Sequence, residues 1–240
     1  MEYAALQDND VQKLYLRYFD MDWPDSDAAP STTRTIRFDT LPDGYAVIPV
    51  ILLHNRVFEK MDSISMPAFA DKVLAQITRI NLASHQRPTD VQFDCDWNER
   101  TKNNYFHFLR LFAERSGTTV SSTIRLYQIR YPERTGIPPV DHGVLIFYNM
   151  GNDDTVASNP IYERAVEHRF TPSLRSYPLT MDLALPIVRP VSANDLLDMV
   201  DEVNRHSNHH IRNLIFFDLD HQNLRQYDRG LLKEILDHAE

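Results

Sequence analysis

Seven short apolar segments of strand length recur along the 240-residue chain, and helical patterns separate most of them. The segments are rich in β-branched and aromatic residues, which favour strands. Several are almost continuously apolar, a pattern typical of strands covered on both faces in a parallel sheet. The predicted strands are Leu14–Phe19, Ala46–Leu53, Asp90–Trp97, Ser122–Ile129, Gly143–Asn149, Met181–Val188 and Asn213–Leu219.

Helical periodicity is clearest in Met66–Asn81, Thr101–Arg115 and Ser192–Arg205, where apolar residues recur three and four positions apart. Repeated alternation of strand and helix predicts a parallel α/β fold. The sequence has no GxGxxG motif and no Walker loop, and only six glycines are present to cradle a phosphate. A (β/α) barrel therefore fits better than a nucleotide-binding open sheet.

The predicted fold is a TIM-type (β/α) barrel formed by one domain that spans residues 1–240. Seven strands are one fewer than such a barrel normally has. A seven-stranded barrel is one interpretation. The more specific interpretation is that this chain lacks the first strand of an eight-stranded barrel and that longer relatives contain this strand.

Charge and composition exclude several classes of protein. The chain has 34 acidic and 25 basic side chains, a formal net charge of −9, which argues against a nucleic-acid partner. A single cysteine excludes an intrachain disulfide. No apolar run approaches the ~20 residues of a membrane span, and the N-terminus lacks the pattern of a signal peptide. We expect no cofactor, and a cytoplasmic location for the chain as given.

Polar and aromatic residues concentrate at the ends of the predicted strands. In a (β/α) barrel the functional residues lie at the C-terminal ends of the strands, so these side chains are the predicted site. The predicted substrate-binding residues are Asp20, Asp22, Trp23, Asn55, Trp97, Arg125, Gln128, Tyr148, Asn149 and Asp218.

Asp94 and Asp96 are the predicted catalytic residues. They are two positions apart on a strand, so both face the same way, with Phe93 and Cys95 facing the helices. Two neighbouring carboxyl groups tend to acquire different pKa values, as a general acid and a base or nucleophile require. The alternative is that these acids are structural and pair with Arg17 or Arg125.

Other interpretations stay open for several of these residues. The Asp-x-Asp pairs at Asp20, Asp94 and Asp218 could bind a hard cation through oxygen ligands, although loop or capping roles are more common. Trp23 and Trp97 could stack on a sugar ring or be packed under loops. Cys95 is a poor nucleophile, because neighbouring acids raise the pKa of a thiol.

Several segments in fixed order resemble a family of largely uncharacterised bacterial proteins, some labelled lipoproteins, that are similar to glycoside-hydrolase-type TIM barrels. The resemblance rests on Leu14–Asp20, Val91–Trp97, Ser122–Gln128, Gly136–Asp141, Phe147–Gly151, Tyr177–Leu179 and Asp182–Pro186.

The resemblance implies a carbohydrate-active barrel. Relatives have an additional first strand and often an export signal, so a chain truncated at its N-terminus would belong to an exported or lipid-anchored protein. Three functions remain as hypotheses: a glycosidase that uses Asp94 and Asp96, a non-catalytic barrel that binds a glycan or a protein, and a metal-dependent hydrolase. Gln128 and Asn149 at strand ends, where a glycosidase would offer a second acid, favour the non-catalytic protein.

Overall fold

A computed structural model describes residues 2–36, 44–146, 171–187, 191–207, 211–217, 223 and 231–239. The strands are β1 (Lys13–Asp22), β2 (Ser31–Thr35), β3 (Ala46–Leu53), β4 (Asp90–Asp94), β5 (Thr119–Arg125), β6 (His142–Ile146), β7 (Met181–Pro186) and β8 (Leu214–Phe217). The α-helices are α1 (Glu2–Asp8), α2 (Asn55–Lys60), α3 (Met66–Ala83), α4 (Lys102–Ser116), α5 (Leu126–Arg130), α6 (Pro132–Thr135), α7 (Ala193–His206) and α8 (Leu231–Ala239). A 3-10 helix spans Thr171–Ser176.

The chain divides into two compact units. The N-terminal unit comprises Gln12–Thr123 and Glu133–Asp141. The C-terminal unit comprises Met1–Val11, Ile124–Pro132 and His142–Glu240. The single domain expected from the sequence stays a prediction.

Parallel strands organise the N-terminal unit. β1 pairs with β3, β3 with β4 and β4 with β5, all in parallel. Such connections need a crossover, which α3 and α4 supply in the last two cases. Helix α4 buries aromatic side chains against the sheet, and Phe93 of β4 meets Phe108 and Phe112 of α4 edge-on at centroid distances of 5.0 and 4.7 Å. This aromatic layer fixes which side of β4 faces the helices.

The C-terminal unit contains a second set of parallel strands, β6, β7 and β8. Helix α7 begins with a capping box in which Ser192 and Asp195 satisfy each other's backbone N–H groups. At the N-terminal ends of the strands, buried Asp182 lies 3.3 Å from His142 Nε2 and accepts a 2.8 Å hydrogen bond from Asn213. These bonds outweigh burial and hold the pKa of Asp182 below its usual value.

All seven predicted strands are present, and their parallel pairing within each unit confirms the α/β class. The predicted strand Ser122–Ile129 is wrong in its second half, because the chain turns into α5 after Arg125. Oε1 of Gln128 accepts the backbone N–H of Arg125 at 2.8 Å and so satisfies a donor that would otherwise continue the strand. The structure also contains a strand that the sequence pattern did not predict, β2, which pairs antiparallel with β1.

Within the described ranges, no helix is both long enough and apolar enough to cross a membrane.

The aromatic layer predicts a large effect of truncation at Phe108, which is fully buried. Phe108→Ala should lower the free energy of unfolding by about 3–5 kcal/mol, because it removes the ring contacts and leaves a cavity. Urea denaturation measures the effect. Ile64→Ala is the control, since Ile64 is 90% exposed, and it should stay within about 0.5 kcal/mol of wild type. Equal effects of the two substitutions would contradict the packing described above.

Candidate functional site

The side chains at the end of β4 alternate between buried and half-buried positions. Phe93, Cys95 and Trp97 are fully buried on the helix side, whereas Asp94 and Asp96 are half-buried. This alternation has the period of an extended chain, and it continues to Trp97, three residues beyond the last residue of β4. Both acids predicted to be catalytic therefore lie on the face of the sheet opposite the helices.

Strand register places a second acid in the same row as Asp94. Leu52 of β3 is opposite Asp20 of β1 on one side and opposite Asp94 of β4 on the other. Since partners in parallel strands point to the same face, the two carboxyl groups flank Leu52 on the face away from the helices. Strands lie about 4.8 Å apart, so their Cα atoms are separated by roughly 10 Å.

Arg17 holds the carboxylate of Asp20. Its Nε and Nη2 atoms donate to the two oxygens of Asp20 at 2.6 and 2.7 Å. The Asp20 side chain is 8% exposed and the Arg17 side chain is 46% exposed. The pair therefore neutralises a nearly buried acid while keeping part of a guanidinium group at the surface. Sequence reasoning weighed Arg17 as a partner of Asp94 or Asp96, but the described contacts of Arg17 are with Asp20.

Arg56 holds Asp22 in the same bidentate way, through Nε and Nη2. Asp22 also accepts the backbone N–H of Trp23 at 2.7 Å. The hydrogen bonds from Arg56 are the main reason why the pKa of Asp22 lies below its usual value. Arg56 directly follows the predicted site residue Asn55, and its position after a strand end was the signal that could have identified it.

Trp23 and Asn55 lie at the same edge and are both half-buried. The indole N–H of Trp23 donates to the carbonyl of Asp27 at 3.0 Å, which orients the ring. Asn55 is the first residue of α2, directly after β3 and His54. Its Oδ1 atom is buried and has no hydrogen-bond partner in the described part of the chain.

Trp97 is packed rather than presented to a ligand. Its side chain is fully buried, and its ring stacks on Tyr105 at a centroid distance of 5.2 Å. The indole N–H donates to the carbonyl of Thr135 at 2.9 Å. With no exposed ring face, Trp97 is left out of the site that we propose below.

Arg125 and Gln128 lie at the turn from β5 to α5. Arg125 is half-buried, and Gln128 is fully buried, with its Nε2 atom 3.4 Å from the hydroxyl of Tyr127. Together with its bond to the backbone of Arg125, this contact gives Gln128 a local structural role. The remaining predicted site residues, Tyr148, Asn149 and Asp218, lie outside the described residues.

In the part of the chain that the structure describes, no three His, Cys, Asp or Glu side chains converge as a metal site would require. The Asp-x-Asp interpretation therefore receives no support from Asp20, Asp22, Asp94 and Asp96, all of which are described.

Replacing Arg56 should reveal its effect on Asp22 as a pH-dependent loss of stability. Arg56→Met removes both donors, so the pKa of Asp22 should rise and the variant should unfold at lower urea than wild type at pH 7. Because the folded-state pKa of Asp22 is lowered in wild type, this stabilisation exists above the unfolded-state pKa of about 3.9 and disappears as the pH falls through the lower folded value.

Lys60→Met is the matched control, because it removes the ion pair between Lys60 and Asp25, which is 95% exposed. It should change the urea midpoint little at pH 7 and at pH 2. If Arg56→Met loses as much stability against urea at pH 2 as at pH 7, the ion pair with Asp22 is not the cause of the loss.

No protein-family model matches the sequence, and no curated protein sequence matches it. Among solved structures, the spore cortex-lytic enzyme SleL of Bacillus cereus is similar, with a TM-score of 0.60 at 11% identity over 99% of this chain and 69% of that one. PbGH5A, a glycoside hydrolase family 5 enzyme from Prevotella bryantii solved with a xyloglucan tetradecasaccharide, has a TM-score of 0.47 at 12% identity over 82% and 71% of the two chains. The similarity to SleL shows that the chain has a glycoside-hydrolase-like fold of the partial TIM-barrel type.

Proposed function

We propose that this protein hydrolyses a glycan at the C-terminal ends of β1, β3 and β4, with Asp94 and Asp96 as the catalytic residues. The observation that carries the proposal is the alternation at the end of β4, which turns both carboxyl groups away from the helices while leaving them half-buried.

The chemistry needs one carboxyl group to protonate the leaving oxygen and a second group to act as a base or nucleophile. Retaining enzymes hold the two groups about 5–5.5 Å apart, and inverting enzymes about 6.5–9.5 Å apart. The Cα atoms of residues two apart on a strand are separated by about 6.6 Å, so Asp94 and Asp96 can satisfy either arrangement. Asp20 is in the same row, but both of its carboxylate oxygens accept hydrogen bonds from Arg17.

Substrate contacts are proposed for the residues beside these acids. Trp23 offers a partly exposed ring on which a sugar can stack. Oδ1 of Asn55 is an acceptor that could take a hydrogen bond from a sugar hydroxyl. Arg17 and Arg56, each nearly half exposed, can donate to sugar hydroxyl groups while remaining bound to Asp20 and Asp22.

A second candidate function is glycan binding without catalysis. It is favoured by Asp20 and Asp22, because each of these strand-end acids is occupied by an arginine and neither can serve as the second catalytic group. An edge of aspartates, arginines and a tryptophan of this kind can bind sugar hydroxyl groups without hydrolysing a glycosidic bond.

Hydrolysis should be measured as release of reducing ends from a panel of glycans that includes spore cortex, chosen because of the similarity to SleL. Wild type should cleave at least one member. Asp94→Asn and Asp96→Asn should each reduce the rate by about 10²–10⁴-fold, the usual contribution of acid–base catalysis. Unfolding curves should confirm that both variants fold.

Asp90→Asn is the matched control, because Asp90 is the first residue of β4 and lies at the opposite end of the strand from Asp94. It should retain wild-type activity. Activity that persists in both Asp94→Asn and Asp96→Asn would refute the role assignment. A glycan that binds to wild type but is not cleaved would instead support the second candidate.

A further inference from the structure

Helix α3 carries a second stripe of residues opposite the face that it buries. Its buried residues are Met66, Phe69, Ala70, Val73, Ile77 and Ile80. At 3.6 residues per turn, the direction of Ala75 is diametrically opposite the centre of this buried face. Seven exposed residues lie within about 60° of Ala75 around the helix axis. They are Ala68, Asp71, Lys72, Ala75, Thr78, Arg79 and Leu82, and together they form what we call the outer stripe.

The centre line of the outer stripe is apolar, because Ala68 and Leu82 lie within about 20° of the direction of Ala75 around the helix axis. At the margin of the stripe, the ammonium group of Lys72 donates to the carbonyl of Pro30 at 2.7 Å. Leu82 is 73% exposed. The hydroxyl of Thr78 is used within the helix, where it donates to the carbonyl of Leu74 at 2.9 Å, so the polar end of this side chain is already satisfied. A shallow depression runs along this face and is lined by Asp71, Leu74, Ala75, Thr78, Arg79 and Leu82. Small residues at its centre would let another helix approach closely.

The residues of the outer stripe are symmetric about Ala75. Consider two antiparallel copies of α3 related by a two-fold axis at Ala75. A residue n positions before Ala75 in one copy would then face the residue n positions after Ala75 in the other copy. Asp71 would then face Arg79 of the second copy, and Leu82 would face Ala68. A two-fold axis would form each of these contacts twice.

Charge complementarity supports this arrangement and disfavours a parallel one. Arg79 has no ion-pair partner within the described residues. Asp71 receives Arg115 Nε on Oδ1 at 2.7 Å, yet its side chain remains 62% exposed. A carboxylate accepts through both of its oxygens, so Asp71 can bind Arg115 and a second guanidinium group together. Parallel helices would instead place like charges against each other.

We propose that two copies of this protein associate through α3, antiparallel about a two-fold axis at Ala75. The partner that binds the outer stripe is thus a second copy of the chain. The contact area of one helix pair is small and the ion pairs are exposed. The dimer should therefore be weak, with a dissociation constant on the order of 10–100 µM, and it should weaken further as salt is added.

Charge reversal tests the pairing between Asp71 and Arg79. Sedimentation equilibrium should show wild type shifting from monomer at about 1 µM to dimer at about 500 µM. Arg79→Glu should raise the dissociation constant at least tenfold, because it places two acids face to face. Asp71→Lys combined with Arg79→Glu should restore association. Arg110→Glu, at an exposed position on α4, is the matched control and should dimerise like wild type.

Cysteine crosslinking tests the position of the axis. Under mild oxidation, Ala75→Cys should form a covalent dimer, because the two residues meet on the axis. Ala83→Cys should not, since its two copies would be about 24 Å apart along the helices. The native Cys95 is fully buried and should not interfere. The proposal fails if the chain stays monomeric at about 500 µM, if the double charge reversal does not restore association, or if Ala83→Cys crosslinks as well as Ala75→Cys does.

Discussion

The candidate site depends on the packing of one side of β4 against α4. Phe93, Cys95 and Trp97 all enter this buried layer, where Phe93 meets Phe108 and Phe112, and Trp97 stacks on Tyr105. A shift of one residue along the strand would turn Asp94 and Asp96 into the aromatic core, at the cost of removing two carboxyl groups from water. The hydrophobic layer therefore decides on which face the acids lie.

The hydrogen bond from Trp97 to Thr135 extends this control beyond the end of the strand. Trp97 lies three residues after the last residue of β4, where the backbone no longer has ladder bonds to hold it. The indole N–H donates to the carbonyl of Thr135 at the end of α6, and the alternation of buried and half-buried side chains continues from Asp94 to Trp97. Trp97, which the sequence suggested as a residue for stacking on a sugar, thus contributes to the site by positioning Asp96.

Ion pairs give the acids of the N-terminal unit different roles. Asp20 and Asp22 are nearly buried, and a buried carboxylate is tolerated when a bidentate arginine compensates for its desolvation. Arg17 comes from the same strand, whereas Arg56 comes from α2 and joins β1 to the segment after β3. Acids that share one pattern in the sequence therefore differ in the structure: those of β1 are neutralised, and those of β4 are the ones to which we assign chemistry.

The periodicity of apolar residues is a local property, so the sequence predicted the order of strands and helices. All seven predicted strands are present, and Phe93 and Cys95 face the helices as predicted. It could not determine β2, whose polar residues form a strand only because the edge of β1 offers hydrogen-bonding groups. The two segments Phe19–Trp23 and Phe93–Trp97 share the pattern Phe-Asp-x-Asp-Trp, and the sequence assigned substrate binding to the acids of the first and catalysis to the acids of the second. It could not show that Arg56 holds Asp22 or that Trp97 is sealed against Tyr105 and Thr135. Those contacts depend on the tertiary structure, because the partners are distant in sequence.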